Sequence, residues 1–152
     1  MRQWILLFLM LILLGCQSRS GYESYYTIDG EEWCLTDTAK FDVTIPQSGN
    51  YLMNICLRHT TDYEISNLWC FVQGRDSLKQ IVGDTINIKV AETDGRWIGQ
   101  GSSIKTIEQP FNKKIVQLPA GEYTFTIEQA MRVKCLKGVK DIGLKIQPLS
   151  IP

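Results

Sequence analysis

The sequence predicts an all-β fold: a single antiparallel β-sandwich of jelly-roll-like form. Three observations carry that expectation. Apolar residues recur with a period of two along most of the chain, the mark of half-buried strands. Clusters of Pro, Gly, Asn, Asp and Ser punctuate the runs at short intervals. No window carries a long apolar stripe at helical spacing.

Seven runs follow in order. Phe41, Val43 and Ile45 alternate, then Tyr51, Met53, Ile55 and Leu57. In the third run Ile65, Asn67, Trp69 and Phe71 share one parity. Leu68 and Cys70 make this run apolar on both faces, so Trp69 is expected in the core. Ile86, Ile88 and Val90 form the fourth. Val116 and Leu118 alternate against Ile115 and Gln117 in the fifth. Tyr123, Phe125 and Ile127 make the sixth, and Ile142, Leu144 and Ile146 the last. The intervening turn signals are PQSGN (46–50), TTD (60–62), QGRD (73–76), VGD (82–84), TDG (93–95) and PAGE (119–122). Asp94-Gly95 is a strong hairpin signal. The stretch EQAMRVKCLKG (128–138) reads as one turn or a bulged crossover.

Ahead of these runs the chain has a different character. Arg2 precedes WILLFLMLILL (4–14), a basic residue followed by an apolar run, as in a secretory signal peptide. The run has eleven residues, against the about 20 that a membrane-spanning helix needs. Leu13-Leu14-Gly15-Cys16 then resembles a bacterial lipobox. Residues 1–15 are thus expected to be a lipoprotein signal peptide, with Cys16 the lipidated residue. Two or more acyl chains hold a protein stably at a membrane where one does not. Residues 16–30, polar and rich in Ser, Gly and Tyr, are expected to be the lipidated Cys and its tether, and 31–152 the sandwich.

Charge narrows the partners. The chain has 16 basic and 16 acidic residues and no basic stripe, so nucleic acid is not an expected partner. Apart from Cys16 there are four cysteines, Cys34, Cys56, Cys70 and Cys135, without a CxxC pair, and one histidine, His59. A zinc site is therefore not expected, nor any cofactor. Export permits disulfides, and four cysteines allow three full pairings. Cys56 and Cys70 lie in apolar runs and read as small hydrophobes, the reading favoured for most of the four; no bridge is assigned.

Catalytic chemistry finds little purchase. No G-x-S-x-G occurs, and His59 in CLRHTTDY reads as a satisfied histidine at a strand end. Glu31, Glu32, Asp62, Glu64, Asp84 and Asp94 stand mostly at turn signals, where carboxylates are solvated; a hydrolase needs two that converge in a cleft. Gly99 and Gly101 in IGQGSS lack a Walker lysine and read as a kinked strand or bulge. Trp33, Trp69, Trp97, Tyr22, Tyr25, Tyr26 and Tyr63 are the aromatics available for stacking on a sugar or a partner. Among them Trp97, next to Arg96 and bounded by glycines, is the leading candidate for interaction.

Three ordered segments resemble one family. They are YLMNICLRHTTDYEISNLWCFV (51–72), DGRWIGQGSSI (94–104) and PAGEYTFTIEQAMRVKCLKGVKDIGLKI (119–146). Together with the lipobox they are similar to the gliding motility lipoprotein family GldH of the Bacteroidetes. The resemblance implies a lipid-anchored cell-envelope component of the gliding machinery, linked through it to type IX secretion. It implies protein association without enzyme activity, and partners among the gliding and secretion envelope proteins. The residues it carries over are Cys16, Arg58, His59, Asn67, Trp69, Asp94, Gly95, Trp97, Gly99, Met131, Arg132 and Gly143. Arg58, His59, Arg96, Trp97 and Arg132 are the candidate interaction residues. Residues 17–21 lack the acidic cluster that directs surface display in this phylum, so an outer-membrane position facing the periplasm is expected. The competing reading is an envelope glycan- or peptidoglycan-binding lipoprotein without a part in motility, which needs a solvent-facing row of aromatics.

Overall fold

A computed structural model describes residues 21–149; the signal peptide and Cys16 lie outside the described residues. The strands are β1 (Tyr22–Thr27), β2 (Glu32–Cys34), β3 (Ala39–Ile45), β4 (Gly49–Thr60), β5 (Asn67–Arg75), β6 (Gln80–Lys89), β7 (Ile104–Leu118), β8 (Gly121–Gln129), β9 (Cys135–Lys137) and β10 (Val139–Pro148). They form two four-stranded sheets, ordered β1-β10-β4-β7 and β3-β8-β5-β6, and a small β2-β9 ribbon. Every pairing is antiparallel. The expected all-β sandwich is the architecture observed.

The period-two residues fill the space between the sheets. Phe41, Val43 and Ile45 of β3 meet Met53, Ile55 and Leu57 of β4, Phe125 and Ile127 of β8, and Ile142, Leu144 and Ile146 of β10 in one buried core. Fully burying one such side chain contributes roughly 1.5–3 kcal/mol, so the alternation itself holds the sheets together.

The structure corrects three expectations. First, part of the expected 16–30 tether is strand. Tyr22–Thr27 pair with Ile146–Asp141 as the edge strand of a sheet. Its outward side chains are polar or aromatic because β1 is an edge; backbone bonds to β10 secure it rather than burial.

Second, Trp69 faces solvent. On β5 it is Leu68, Cys70 and Val72 that point inward, while Trp69 and Phe71 remain 41% and 49% exposed. A run apolar on both faces leaves its parity open, and the facing sheet selects the smaller, better-fitting set.

Third, two cysteines are bridged. Cys34 and Cys135 are opposite each other in the β2-β9 ribbon and form a disulfide, whereas Cys56 and Cys70 are free and buried, as expected. Three-residue strands are too short for periodicity to reveal, so the ribbon is a tertiary feature.

The fifth run is longer than its alternation suggests. β7 extends back to Ile104, through Pro110 and the Lys113-Lys114 pair. Proline is tolerated because β7 is an edge strand whose one neighbour in its sheet is β4. A register shift opposite Leu52/Asn54 marks the irregularity.

Candidate functional site

One end of the sandwich gathers most of the singled-out residues. β4 runs out at His59 and Thr60, the 60–66 loop carries Tyr63, the 91–97 turn carries Trp97, and the 130–134 loop carries Met131 and Arg132. The 60–66 loop and the 91–97 turn meet at His59 over the end of β4, and the 130–134 loop lies beside the 60–66 loop.

His59 is the centre of this cluster. It is fully buried. Its Nδ1 bonds to the Thr60 carbonyl at 2.8 Å, so that nitrogen carries the hydrogen. Its Nε2 is buried without a hydrogen-bond partner among the described residues. The ring lies 5.1 Å from the Trp97 indole and 5.7 Å from the Tyr63 ring, both tilted. Burial holds the imidazole below its usual pKa, and the Lys105 ammonium adds to that effect. His59 is therefore at a strand end, as expected, but not fully satisfied: it is a neutral imidazole wedged between aromatics.

Tyr63 is buried too, and its hydroxyl donates to the Asn67 carbonyl at 2.8 Å, fastening the loop to the start of β5. Gly138, at φ +77°, packs so close to the loop that a Cβ would stand 2.5 Å from Tyr63 N; glycine is required on both counts.

The 91–97 turn forms as the Asp94-Gly95 signal predicts. Glu92 N–H donates to the Arg96 carbonyl at 2.8 Å and Gly95 N–H to the Glu92 carbonyl at 3.0 Å. Gly95 sits at φ +84°, and Asp94 Oδ1 accepts the Arg96 N–H at 3.0 Å. Asp94 is thereby a turn-former. The turn projects Arg96 into solvent and swings Trp97 back, half-buried, onto His59 and the core.

The third loop is built by Gln129, a residue the sequence reading passed over. Its amide is buried; Oε1 accepts the Met131 N–H at 2.9 Å and Nε2 donates to the Val133 carbonyl at 3.2 Å. The available signal was a glutamine at the inward parity of β8, after Tyr123, Phe125 and Ile127. Met131 then turns back so that its sulfur accepts the Trp69 N–H at 3.2 Å. Arg132 is exposed beyond it.

Arg58 lies apart, on the outer face of the β1-β10-β4-β7 sheet. It pairs with the nearly buried Asp141 at 3.1 Å and stands 5.5 Å over the Tyr25 ring. Thr27 donates to the same carboxylate at 2.8 Å. Gly143 explains itself here: a Cβ would lie 2.8 Å from the Tyr25 ring, so its absence lets that ring lie across the sheet.

The remaining aromatics divide unexpectedly. Trp33 is fully buried with Nε1 donating to the Asp37 carbonyl at 2.8 Å. Tyr25 and Tyr26 are exposed. An open cleft of about 610 Å³ lies between the 29–31 turn, the 61–64 loop and Lys137, bringing Glu31, Glu32, Asp62 and Glu64 to its walls. Glu32, Asp62 and Glu64 are solvent-exposed, and Glu31 pairs with Lys140 at 3.4 Å. Among the described residues no group of three His, Cys, Asp or Glu is placed to hold a metal ion.

Comparison with known proteins decides the family. A family model described as GldH lipoprotein matches residues 20–146. The chain belongs to the GldH lipoprotein family. The match spans all three motif segments, and the resemblance read from them is borne out. Over 151 residues the chain is 26% identical to the gliding motility lipoprotein GldH of Flavobacterium johnsoniae, covering 94% of each chain. Membership makes this a motility-related lipoprotein, and lipid anchoring at the envelope accords with the lipobox ahead of the domain.

Solved structures give more distant likenesses. One is a carbohydrate-binding module from Cellvibrio mixtus lichenase 5A in complex with cellotriose, at 18% identity and TM-score 0.42, covering 90% of this chain and 92% of that one. Another is a family 35 carbohydrate-binding module from Clostridium thermocellum, at 11% identity and TM-score 0.40, covering 84% and 98%. Likenesses at these scores carry no argument about a ligand.

Proposed function

We propose that this protein is a lipid-anchored component of the gliding motility machinery, linked to type IX secretion, that acts by binding other envelope proteins and not by turnover. Cys16 carries the lipid, and the domain sits at the outer membrane facing the periplasm.

One observation supports this reading above the others: the first strand starts at the end of the sandwich opposite the His59 cluster. Tyr22 pairs with Ile146, whereas His59 pairs with Val139. The seven steps from Val139 to Ile146 span about 23 Å of strand. Five residues join Cys16 to Gly21, a reach of at most about 18 Å. A lipid on Cys16 would hold the Tyr22 end near the bilayer and present Trp97, Arg96 and Arg132 away from it. Tethering there raises the effective concentration toward partners in the same membrane without any new contact.

The test is a Cys16→Ser form exported by an ordinary signal peptide. It should fold normally yet fail to restore motility or to co-purify envelope partners. Full complementation at native expression levels would overturn the anchored mechanism. Glycan hydrolysis by the purified protein, lost on a single Asp or Glu substitution, would overturn the non-enzymatic one. The second reading, an envelope glycan-binding lipoprotein, draws support from one specific observation, the solvent-facing pair Trp69 and Phe71.

A further inference from the structure

Two aromatic rings on the outer face of the β3-β8-β5-β6 sheet are left unused by the packing. Trp69 and Phe71 are 41% and 49% exposed, two residues apart on β5. They therefore leave the same face, about 6.6–6.8 Å apart along the strand. β5 is a central strand, paired with β6 through Trp69–Asn87 and Phe71–Thr85 and with β8 through Phe71–Glu128. The rings thus stand on a floor that is hydrogen-bonded on both sides.

Their neighbours are amides and hydroxyls. Asn67 Nδ2 donates to Asn87 Oδ1 at 3.0 Å. That bond leaves the Asn87 amide hydrogens and the Asn67 carbonyl oxygen with capacity to spare. Thr85 lies beside Phe71. Of the charges nearby, Lys89 pairs with Glu92, Glu128 stays an anion while accepting the Thr38 hydroxyl, and Arg75 at the far end of β5 bonds to the neutral Gln73.

We propose that this face binds a neutral glycan chain. Successive pyranose rings lay their C–H faces on Trp69 and Phe71, and their hydroxyls bond to Asn67, Asn87 and Thr85. Charge and area both select this ligand. A polyanion needs a cluster of cations, whereas the charge directly beside Phe71 is the Glu128 carboxylate, which repels it. At 150–250 Å² for a whole aromatic side chain, the two half-exposed rings offer roughly 200 Å². A stable protein interface needs about 800 Å² per partner, whereas two sugar rings fit. The ligand is additional to the protein partners, which would engage the loop end; the two sites are separable by mutation.

The experiment titrates the detergent-solubilised lipoprotein with β-1,4-linked hexamers of N-acetylglucosamine, glucose and xylose, and with a charged polygalacturonate. Saturable binding of at least one neutral hexamer is expected. Trp69→Ala and Phe71→Ala should each weaken it at least tenfold without loss of the folded melting transition, and Arg96→Ala should leave it unchanged. No saturable binding across the neutral hexamers overturns the proposal, as does binding of the charged polymer alone. Binding that survives both aromatic substitutions places any glycan elsewhere and overturns it too. Loss of a co-purifying protein on Trp69→Ala, without glycan binding by the parent, would make the face a protein interface instead.

Discussion

The imidazole of His59 lies 5.1 Å from the indole of Trp97, 38 positions away in sequence. The contact joins the end of β4 to the tip of the 91–97 turn and gives Trp97 a structural duty alongside its exposure. Trp97→Ala should therefore cost about 2 kcal/mol, less than the roughly 3–5 kcal/mol for a wholly buried aromatic. Trp97→Phe should recover most of it. Denaturant unfolding of the three forms checks this, and equal stability of Trp97→Ala and parent would contradict it.

The buried His59 makes stability depend on pH. Its folded pKa is depressed below the unfolded value of about 6.5, so the unfolded chain binds the proton more readily. Its contribution is complete above that value and is lost as pH falls through about 6.5 toward the lower folded pKa. Melting temperature should be level above neutrality and decline on mild acidification. His59→Gln should flatten that part of the profile; an unchanged slope would show that another group titrates there.

Arg96 and Arg132 project from the loop end without holding it together. Substitution of either by Ala should change stability by no more than about 0.5 kcal/mol, as at ordinary surface positions. Under the proposed function the double variant should nevertheless lose envelope partners on co-purification. Retention of every partner would remove these arginines from the interface.

The disulfide between Cys34 and Cys135 closes a loop with a sequence separation of 101. Cross-links of this kind typically stabilise by about 2–4 kcal/mol. Reduction, or the paired Cys34→Ser and Cys135→Ser change, should lower the unfolding midpoint accordingly. Loss of β2-β9 pairing should show in hydrogen exchange at Trp33 and Leu136 before the two main sheets open.

Trp33 and Trp69 make a contrasting pair. Trp33→Ala empties a fully buried site and should cost about 3–5 kcal/mol. Trp69→Ala should cost about 1 kcal/mol or less, since its ring remains in water on one side. Calorimetry on both variants checks the reversal of the order that the sequence implied.

Much of the fold was legible because its causes are local. Alternation at β3, β4, β6, β8 and β10 reflects a side-chain period of two, which a strand imposes whatever it packs against. The Asp94-Gly95 turn was legible for a similar reason: its conformation depends on residues within the turn. The lipobox and the family motifs are likewise linear signals. Among the candidate site residues, Trp97 and His59 were singled out from such motifs before their contact was known.

What remained depended on partners distant in sequence. β1 is polar and reads as tether until β10 offers it hydrogen bonds. The parity of β5 was undetermined because both of its faces are apolar; the opposing sheet accepted Leu68, Cys70 and Val72 and turned Trp69 outward. Cys34 found Cys135 because two three-residue strands pair across 101 positions. The sequence by itself thus determined strand periodicity and family. Tertiary structure alone decided which aromatic is buried, which cysteines join and which loops meet, because those outcomes turn on burial and proximity between segments that no local pattern encodes.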